Sequence, residues 1–428
     1  MTADERVRVE GPGGATVAVT VTRRAADRLR AGHMWVYRSE VQAVGTVGVD
    51  RSGEAGEPDR GALVTVVDGR GVPLGTALYS AGSEIALRMV ARVAGLGRER
   101  YLEEIRGRLL AAIALRVELA PISEGNDARR LIFSEADGLP GIVADQYGDV
   151  AVVQLLVQGT ARADVREVVG EAISGVFPEG RGTIWERTDS RIREIEGLEP
   201  PPDGPIWSGG EARSQSIFEI NGVRFHYDAG AGQKTGAFLD QRLNYAVAAA
   251  YAHGRALDVC TYQGGFALHL ALACERVTGV DASRSALEVA DRNLELNREK
   301  IAAAVDWIEA DAFELMRAYQ EAGERFETIV LDPPAFAKSK RAAEGALRGY
   351  KELNLRAMRM LSVGGTLVTC SCSHHVSLEE FLEVLRSAAV DAGRRVQVLE
   401  TRGAAPDHPA VLTLPETGYL KCVISRVG

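Results

Sequence analysis

The order of apolar and polar positions divides the chain into three stretches with different periodicities. Residues 16–93 show short alternating apolar segments separated by turn residues and a polar insert, which predicts a small β domain containing one helix, AADRLRAG. Apolar residues then recur at helical spacing over about 98–118. The stretch 131–188 predicts a small α/β unit, with a hairpin turning at 147–149, a helix near 161–175 and the strand TIWER.

The third stretch changes to strand–helix alternation, which is typical of a doubly wound sheet. Its predicted strands are 256–260, 277–281, 305–311, 328–332 and 366–372. Two C-terminal segments, RVQVLET and GYLKCVISRV, have no helix between them and predict an antiparallel closing pair. Consecutive prolines and glycines at 199–210 predict the main linker. We therefore expect three domains, over residues 1–95, 96–208 and 209–428.

Length and composition limit the class of protein. The 428 residues suffice for two or three separate cores, and the five cysteines form neither a paired CxxC nor a disulfide framework. The charged N-terminus shows no apolar signal region, and no apolar run is long enough to span a membrane. We expect a cytoplasmic protein with no membrane and no metal partner. The formal net charge of −9 argues against indiscriminate nucleic-acid binding.

Two basic clusters modify that last expectation. The first contains Arg23, Arg24, Arg28, Arg30 and Arg38 against one acid. The second runs from 338 to 356 and contains Lys338, Lys340, Arg341, Arg348, Lys351 and Arg356. Either cluster alone is typical of a solvated face. Two clusters, one of them beside the candidate site, favour a path lined for phosphates.

Three acids at the ends of successive predicted strands define a candidate nucleotide site: Asp258, Asp281 and Asp311. The loop after Asp258 contains Tyr262, Gly264 and Gly265 and opens a helix, where backbone can approach a ligand closely. Asp281 could accept hydrogen bonds from ribose hydroxyls, and Asp311 lies where an adenine edge would be. Helix caps and turn residues remain the alternative, and a nicotinamide dinucleotide remains a rival ligand.

The motif Asp332-Pro333-Pro334-Ala335-Phe336 predicts a stiff turn that could hold a flat base. Phe336 could stack on the ring, and Asp332 could accept from an exocyclic amine. A rigid turn with a core phenylalanine is the alternative. Cys372 ends the next predicted strand, so an acid and a potential nucleophile could share one crevice.

Cys372 points to methylation at carbon 5 of a pyrimidine. That carbon becomes nucleophilic only after a thiolate adds to carbon 6, whereas a nucleobase nitrogen needs no such help. Three alternatives stay open: Cys370 as the nucleophile, an inert buried Cys372, and a zinc site from Cys370, Cys372, His374 and His375 with no common ligand spacing. His374 and His375 could also border the site.

The DPP motif and the closing strand pair resemble class I S-adenosylmethionine-dependent methyltransferases. Over nearly the whole chain the sequence resembles one family, the RlmI-type 23S ribosomal RNA cytosine-5 methyltransferases. The segments that carry this resemblance are GHMWVYRSEV (32–41), EADGLPGIVADQYGD (135–149), QKTGAFLDQR (233–242), YQGGFALH (262–269), LDPPAFAKSK (331–340), RGYKELN (348–354), TCSCSHH (369–375) and DHP (407–409). The continuation SCSHHV and the insert at 48–60 depart from the family pattern.

The resemblance implies a β-barrel-like PUA domain that binds RNA, a central α/β domain and a Rossmann-like methyltransferase domain using S-adenosyl-L-methionine. It implies Cys372 as the nucleophile, Asp258 near the amino-acid end of the cofactor, and a crevice wall formed by Phe238, Asp240 and Arg242. Large-subunit ribosomal RNA is the implied partner, and a homodimer stays open. The alternatives are methylation of a nucleobase nitrogen with a structural Cys372, an RNA-binding assembly factor without catalysis, and a nicotinamide dehydrogenase.

Overall fold

The computed structural model describes residues 17–46, 57–187, 189–230, 237–336 and 343–428. The first domain is a six-stranded sheet in the order β2-β6-β5-β4-β1-β3, in which only β1 and β4 run parallel. Its elements are β1 (Val17–Val21), α1 (Arg23–Arg30), β2 (Trp35–Tyr37), β3 (Val41–Thr46), β4 (Leu63–Val67), β5 (Pro73–Tyr79) and β6 (Ile85–Ala91). Thr22 caps α1 by accepting from the Ala25 N–H, which explains why the helix begins directly after β1.

The central domain is a five-stranded sheet in the order β11-β10-β9-β8-β7, with the helices α2 and α3 packed on it. Its elements are α2 (Arg98–Leu119), β7 (Ala128–Phe133), β8 (Ile142–Tyr147), β9 (Val150–Leu155), α3 (Ala163–Ser174), β10 (Thr183–Glu186), α4 (Ser190–Glu196) and β11 (Trp207–Ser208). Gly148, at φ +56°, makes the predicted β8–β9 turn. The segment 199–210 is only partly a linker, because Trp207–Ser208 pairs with β10.

A hairpin of β12 (Gln215–Ile220) and β13 (Val223–Asp228) lies between the central sheet and the third domain. Its Tyr227 stacks on Tyr147 of β8 with ring centroids 4.3 Å apart, and Phe218 lies 5.0 Å from the same ring. These side chains belong to one apolar core that continues into the third domain, where it includes Tyr245 and Phe266. The second and third domains are therefore joined through shared packing.

The third domain is a seven-stranded sheet in the order β16-β15-β14-β17-β18-β20-β19. Its strands are β14 (Arg255–Val259), β15 (Arg276–Asp281), β16 (Ala304–Glu309), β17 (Phe326–Leu331), β18 (Leu361–Ser371), β19 (Val396–Arg402) and β20 (Lys421–Val427). The first five are parallel, and β20 runs antiparallel to both β18 and β19. The expected antiparallel closure of a Rossmann-like sheet is confirmed.

The helices of this domain cover both faces of the sheet: α5 (Arg242–Tyr251), α6 (Gly265–Leu270), α7 (Arg284–Leu296), α8 (Ala312–Glu321), α9 (Ala343–Met360) and α10 (Leu378–Ala392). Ser377 and Glu380 form a capping box at the start of α10. No helix within the described ranges is both long enough and apolar enough to cross a membrane.

Candidate active site

A cavity of about 1260 Å³ opens at the carboxyl ends of the parallel strands. Residues that follow each of the five parallel strands line it: Cys260, Asp281, Asp311, Asp332 and Cys372. Arg130 of β7 also reaches the wall, so the central domain contributes to the cavity. The sequence pattern predicted a ligand site at the carboxyl ends of the strands. The observed topology brings the ends of all five parallel strands together at that edge of the sheet.

The loop after β14 is folded tightly against the cavity. Asp258 is fully buried, and its Oδ2 accepts from Thr261 Oγ1 at 2.5 Å and from the Ala267 N–H at 2.9 Å. Burial raises its pKa to about 7. Gly264 has φ +85°, and a Cβ on Gly265 would lie 2.6 Å from the Tyr245 hydroxyl, so both glycines are required by the backbone path. The hydrogen bonds of the Asp258 carboxyl therefore hold this loop in place from the side away from the cavity.

Asp281 and Asp311 line one half of the cavity, which we call the nucleotide half. Asp281 accepts from the N–H groups of Tyr262 at 2.9 Å and Ser283 at 2.8 Å, one on each carboxylate oxygen. Asp311 caps α8 by accepting from two backbone N–H groups with a single oxygen. Both carboxylates are held by backbone N–H groups, and both residues line the cavity. The predicted capping role of Asp311 and its place in the cavity are thus compatible.

Asp332 and Asp240 line the other half, which we call the catalytic half. Asp332 Oδ2 accepts from Gln241 Nε2 at 3.1 Å, and Asp240 Oδ2 accepts from the Tyr419 hydroxyl at 2.5 Å. Burial and the neighbouring carboxylates of Asp240 and Asp258 raise the pKa of Asp332 to about 8. This carboxyl is therefore mostly protonated at neutral pH.

Cys372 lies directly after β18, and its Sγ is 3.8 Å from the Pro333 carbonyl oxygen of the DPP turn. Burial, Asp332 and Asp240 raise the pKa of its thiol to about 11, while Lys421 acts in the opposite direction. Lys421 Nζ donates to the carbonyls of Ser373 and Tyr419, at 2.7 Å each. The thiol and the acid of the catalytic half thus share one wall.

Cys370 is excluded from the cavity. It is fully buried in the core, paired across the ladder with Cys422, and it does not line the wall. Within the described residues no three metal-binding side chains form a cluster. His374 does line the cavity, and its Nδ1 donates to the Glu416 carbonyl at 2.9 Å, because a carbonyl can only accept.

Aromatic rings close the two ends of the cavity. Phe336 of the DPP turn lies 4.8 Å from Tyr350 and 5.9 Å from Phe313, measured between ring centroids. The exposed ring of Phe238, which also lines the cavity, lies 5.1 Å from Tyr262. Flat ligands could therefore be stacked at either end.

Two family models match this chain. Residues 19–92 match a PUA-like domain, and residues 185–422 match the S-adenosylmethionine-dependent methyltransferase model. A ribosomal RNA large subunit methyltransferase I of Pseudoalteromonas translucida is 36% identical over 417 residues, covering 96% of this chain and 100% of that protein. The protein of the same name from Photobacterium profundum is 37% identical, covering 95% of this chain and 98% of its own.

The chain belongs to this S-adenosylmethionine-dependent methyltransferase family. Within it, the chain is a member of the branch formed by the methyltransferase I relatives, which also includes an Escherichia coli protein 34% identical over 96% of this chain and 100% of its own length. The predicted RlmI-type resemblance and the PUA plus Rossmann-like fold are confirmed.

Solved methyltransferase structures share the fold. SMU.776 in complex with SAH superposes with a TM-score of 0.76 at 17% identity, over 96% of this chain and 99% of that one. A SAM-dependent methyltransferase from Streptococcus mutans gives a TM-score of 0.75 over the same shares. The methyl donor of this methyltransferase family is S-adenosylmethionine.

The residues of the cavity fit that cofactor. S-adenosylmethionine carries a positive sulfonium and ammonium, two ribose hydroxyl donors and a flat adenine, and the carboxyl groups of four aspartates and Glu288 line this cavity. One of them, Asp240, has a buried Oδ1 that no donor within the described residues satisfies. Asp281 would hold the ribose and Asp311 with Phe313 the adenine. The unsatisfied Asp240 oxygen suits a donor brought by a ligand.

The predicted site residues fall into three groups. The cavity wall contains Tyr262, Asp281, Asp311, Phe238, Asp240, Asp332, Pro333, Pro334, Phe336 and Cys372. Asp258, Gly264, Gly265 and Arg242 lie behind it, where Arg242 Nη2 is 3.4 Å from Asp407 Oδ1 instead of facing a ligand. Lys338, Lys340 and Arg341 lie outside the described residues.

Sequence reasoning missed several wall residues: Arg130, Gln241, His408 and Tyr419. Gln241 and His408 stand in the quoted motifs FLDQR and DHP, which gave them no role. Arg130 and Tyr419 have no local signal, because the cavity receives them through the packing of β7 and of the loop before β20.

Proposed function

We propose that this chain methylates carbon 5 of a cytosine in large-subunit ribosomal RNA, through a covalent bond between Cys372 Sγ and carbon 6 of the base. The observation that carries the proposal is the place of Cys372, in the wall of the cofactor cavity and against the DPP turn. The names of the relatives support ribosomal RNA as the substrate. A methyltransferase acting on a nucleobase nitrogen would need no thiol there.

The bond changes follow from the thiol. Sγ bonds to carbon 6, and the electrons of the 5,6 double bond make carbon 5 nucleophilic. Bound S-adenosylmethionine supplies the electrophilic methyl group. The methyl group would pass from the sulfonium sulfur to carbon 5, which leaves the donor as a neutral thioether. A base then takes the carbon-5 proton, the 5,6 double bond reforms, and the bond from carbon 6 to Sγ breaks to release the thiolate. Cys372 must ionise first, and its raised pKa means that only a small fraction is thiolate at neutral pH.

Asp332 supports cytosine over uracil. At neutral pH its carboxyl is mostly protonated and can donate a hydrogen bond. Cytosine N3 carries a lone pair that accepts, whereas uracil N3 carries a hydrogen and can only donate. Donation to N3 also draws electrons from the ring and favours addition at carbon 6. We therefore assign Asp332 to N3, in place of the exocyclic amine that the sequence suggested.

The first domain offers a limited basic surface for RNA. Arg28 pairs with Glu40 at 2.5 Å, and Arg38 donates to the carbonyls of Ser80 and Ser83. The exposed cations of this cluster are Arg23, Arg24 and Arg30. Arg30 pairs with Asp68 at 2.5 Å, whereas Arg23 and Arg24 lie on the first turn of α1. We infer that these two arginines contact phosphates while the target base is swung out of its stack into the catalytic half.

Replacing Cys372 by alanine tests the covalent step. We expect methyl transfer to ribosomal RNA to fall by about 10⁴-fold or more, with cofactor affinity largely retained, because the nucleophile is lost and the nucleotide half is untouched. RNA containing 5-fluorocytosine should form a stable adduct with the wild-type protein, since fluorine cannot leave as a proton does, and no adduct with Cys372→Ala.

Cys274→Ala is the matched control, since Cys274 is buried in the core and lies away from the cavity wall. Digestion of the methylated RNA and mass analysis of the nucleosides identifies the product. Full activity of Cys372→Ala, or a product methylated on a ring or exocyclic nitrogen, would reject the proposal in favour of nitrogen methylation.

A further inference from the structure

A chain of hydrogen-bonded polar side chains runs from Arg402, on the edge strand β19, to Asp332. Arg402 Nε of β19 donates to Asn244 Oδ1 at 2.9 Å, and Asn244 Nδ2 donates to Gln241 Oε1 at 2.7 Å. Gln241 Nε2 in turn donates to Asp332 Oδ2 at 3.1 Å. Asn244 is 1% and Gln241 2% exposed, so water does not replace the bond between these two amides. Neither Asn244 nor Arg402 lines the cavity.

The direction of every bond in this chain is fixed by its neighbours. Arg402 can only donate, so it requires the oxygen of the Asn244 amide. Asn244 Nδ2 also donates to the Gly403 carbonyl at 3.1 Å, and a carbonyl can only accept. These two contacts settle the orientation of Asn244 independently of Gln241. Asn244 therefore offers Gln241 a donor, and Gln241 must turn its own N–H towards Asp332.

We propose that Asn244 is a positioning residue: acting through Gln241, it confines the acidic proton of Asp332 to Oδ1, the carboxyl oxygen left for the base. Oδ2 already receives the Gln241 N–H, and an oxygen carrying its own proton there would face that N–H with a second hydrogen. The role of Oδ1 as donor to cytosine N3 rests on the proposed function. The orientation of the Asn244 and Gln241 amides does not depend on the proposed function.

Several ionisable groups surround Asp332, and each could shift its titration. Among the described residues, the carboxylates of Asp240 and Asp258 raise its pKa, and Gln241 lowers it by hydrogen bonding. Groups on the packed elements that feel its charge in return are Tyr245 of α5, Cys260 after β14, and Cys370 and Cys372 at the end of β18. None of these groups is a cation, so the Gln241 N–H is the main stabilising contact of the carboxylate.

Asn244→Asp should reverse the direction of the hydrogen bonds between residue 244, Gln241 and Asp332, and it leaves the shape of the side chain nearly unchanged. A carboxylate cannot donate to Gln241 Oε1, so the Gln241 amide should turn round and present its oxygen to Asp332. Asp332 then keeps its proton longer, on Oδ2. We expect the pH at which it titrates to rise by about 1 to 2, since a hydrogen bond to a charged group is lost.

Infrared difference spectroscopy of the protein without cofactor or RNA measures this directly. The carboxylic-acid carbonyl band of Asp332 is identified by its loss in Asp332→Asn. In Asn244→Asp this band should persist to higher pH and move to higher frequency, because its carbonyl no longer accepts from Gln241. Asn244→Ala, which leaves Gln241 free to turn either way, should shift the titration less than Asn244→Asp does.

Asn297→Asp is the matched control. Asn297 is equally buried and donates only to the backbone carbonyls of Arg224 and Asn293. We expect it to leave the Asp332 band unchanged. A merely structural role for Asn244 would give the larger change in Asn244→Ala, which removes more atoms. That order, or an Asp332 band that is the same in all variants, would overturn the proposal.

Methyl transfer gives a second measurement. We expect kcat of Asn244→Asp on ribosomal RNA to fall by about 10- to 100-fold with KM little changed, because the acid is misdirected after binding. A wild-type protein that is inactive on this RNA would count against the proposed function alone, since the infrared experiment needs no substrate. An unchanged kcat beside a shifted band would reject delivery of the proton through Oδ1.

Discussion

The carboxyl groups in the two halves of the cavity have opposite surroundings. In the nucleotide half, Asp281 and Asp311 each accept two backbone N–H groups, so their negative charges are stabilised before any ligand binds. In the catalytic half, Asp332 has a single side-chain donor and two carboxylates nearby, which raise its pKa to about 8. Backbone N–H groups hold the two acids that we propose bind the cofactor, whereas burial and mutual repulsion leave Asp332, the proposed catalytic acid, ready to exchange a proton.

Replacing an aspartate by asparagine in each half should show most clearly that the two halves have different roles. Asp332→Asn keeps a hydrogen bond to the base but removes the acid, so kcat should fall by about 10²- to 10⁴-fold. Affinity for S-adenosylmethionine, measured by calorimetry, should change little. A loss of cofactor binding that matches the loss of kcat would show that Asp332 belongs to the nucleotide half instead.

The pH dependence should report the pair formed by Asp332 and Cys372. In the proposed mechanism the reactive form needs a thiolate at Cys372, whose pKa is about 11, and a protonated Asp332, whose pKa is about 8. Below about pH 8 the acid is already protonated and the thiolate fraction grows about tenfold per pH unit, so kcat/KM should rise. Above about pH 8, loss of the acid offsets the growing thiolate fraction, and the profile should level.

Asp332→Asn sharpens this test, because its rate should continue to rise above about pH 8. Single-turnover methyl transfer in a series of buffers provides the profile. A wild-type rate that is constant from about pH 6 to about pH 8 would contradict the assignment of both groups.

Asp281→Asn should lower kcat less than Asp332→Asn does, and it should act mainly on the affinity for the cofactor. An amide has one acceptor oxygen, so the N–H of Tyr262 or Ser283 loses its partner and ribose loses an acceptor. We expect the Kd for S-adenosylmethionine to rise by about 10- to 100-fold. If kcat at saturating cofactor fell as far as in Asp332→Asn, the division of the cavity into two halves would be wrong.

The parallel strands could be predicted because each ends on a polar residue after an apolar run of the right length. Strand ends meet at one edge of such a sheet, so Asp281, Asp311, Asp332 and Cys372 could be grouped without coordinates. Asp258 shows the limit of that rule. It also ends a strand, but its carboxylate is used to fold the loop after β14 and does not reach the cavity.

The residues that sequence could not supply enter through packing between domains and through side-chain chemistry at a distance. Arg130 reaches the wall from β7, more than a hundred residues before the nearest strand-end acid. Asn244 has no contact with the cavity, and its effect depends on the orientation of two buried amides. Neither periodicity nor motif spacing contains that information.

The hairpin β12–β13 has a consequence for how the protein can be divided. Its aromatic rings belong to a core shared by the central sheet and the methyltransferase domain, and a second core joins Leu78 and Val90 of the first sheet to α2. A fragment beginning after residue 208 would expose the aromatic cluster around Tyr227 and lose Arg130 from its active site. A chimera of two relatives should therefore take all residues of each shared core from the same parent. The three domains depend on one another for packing and are best exchanged together.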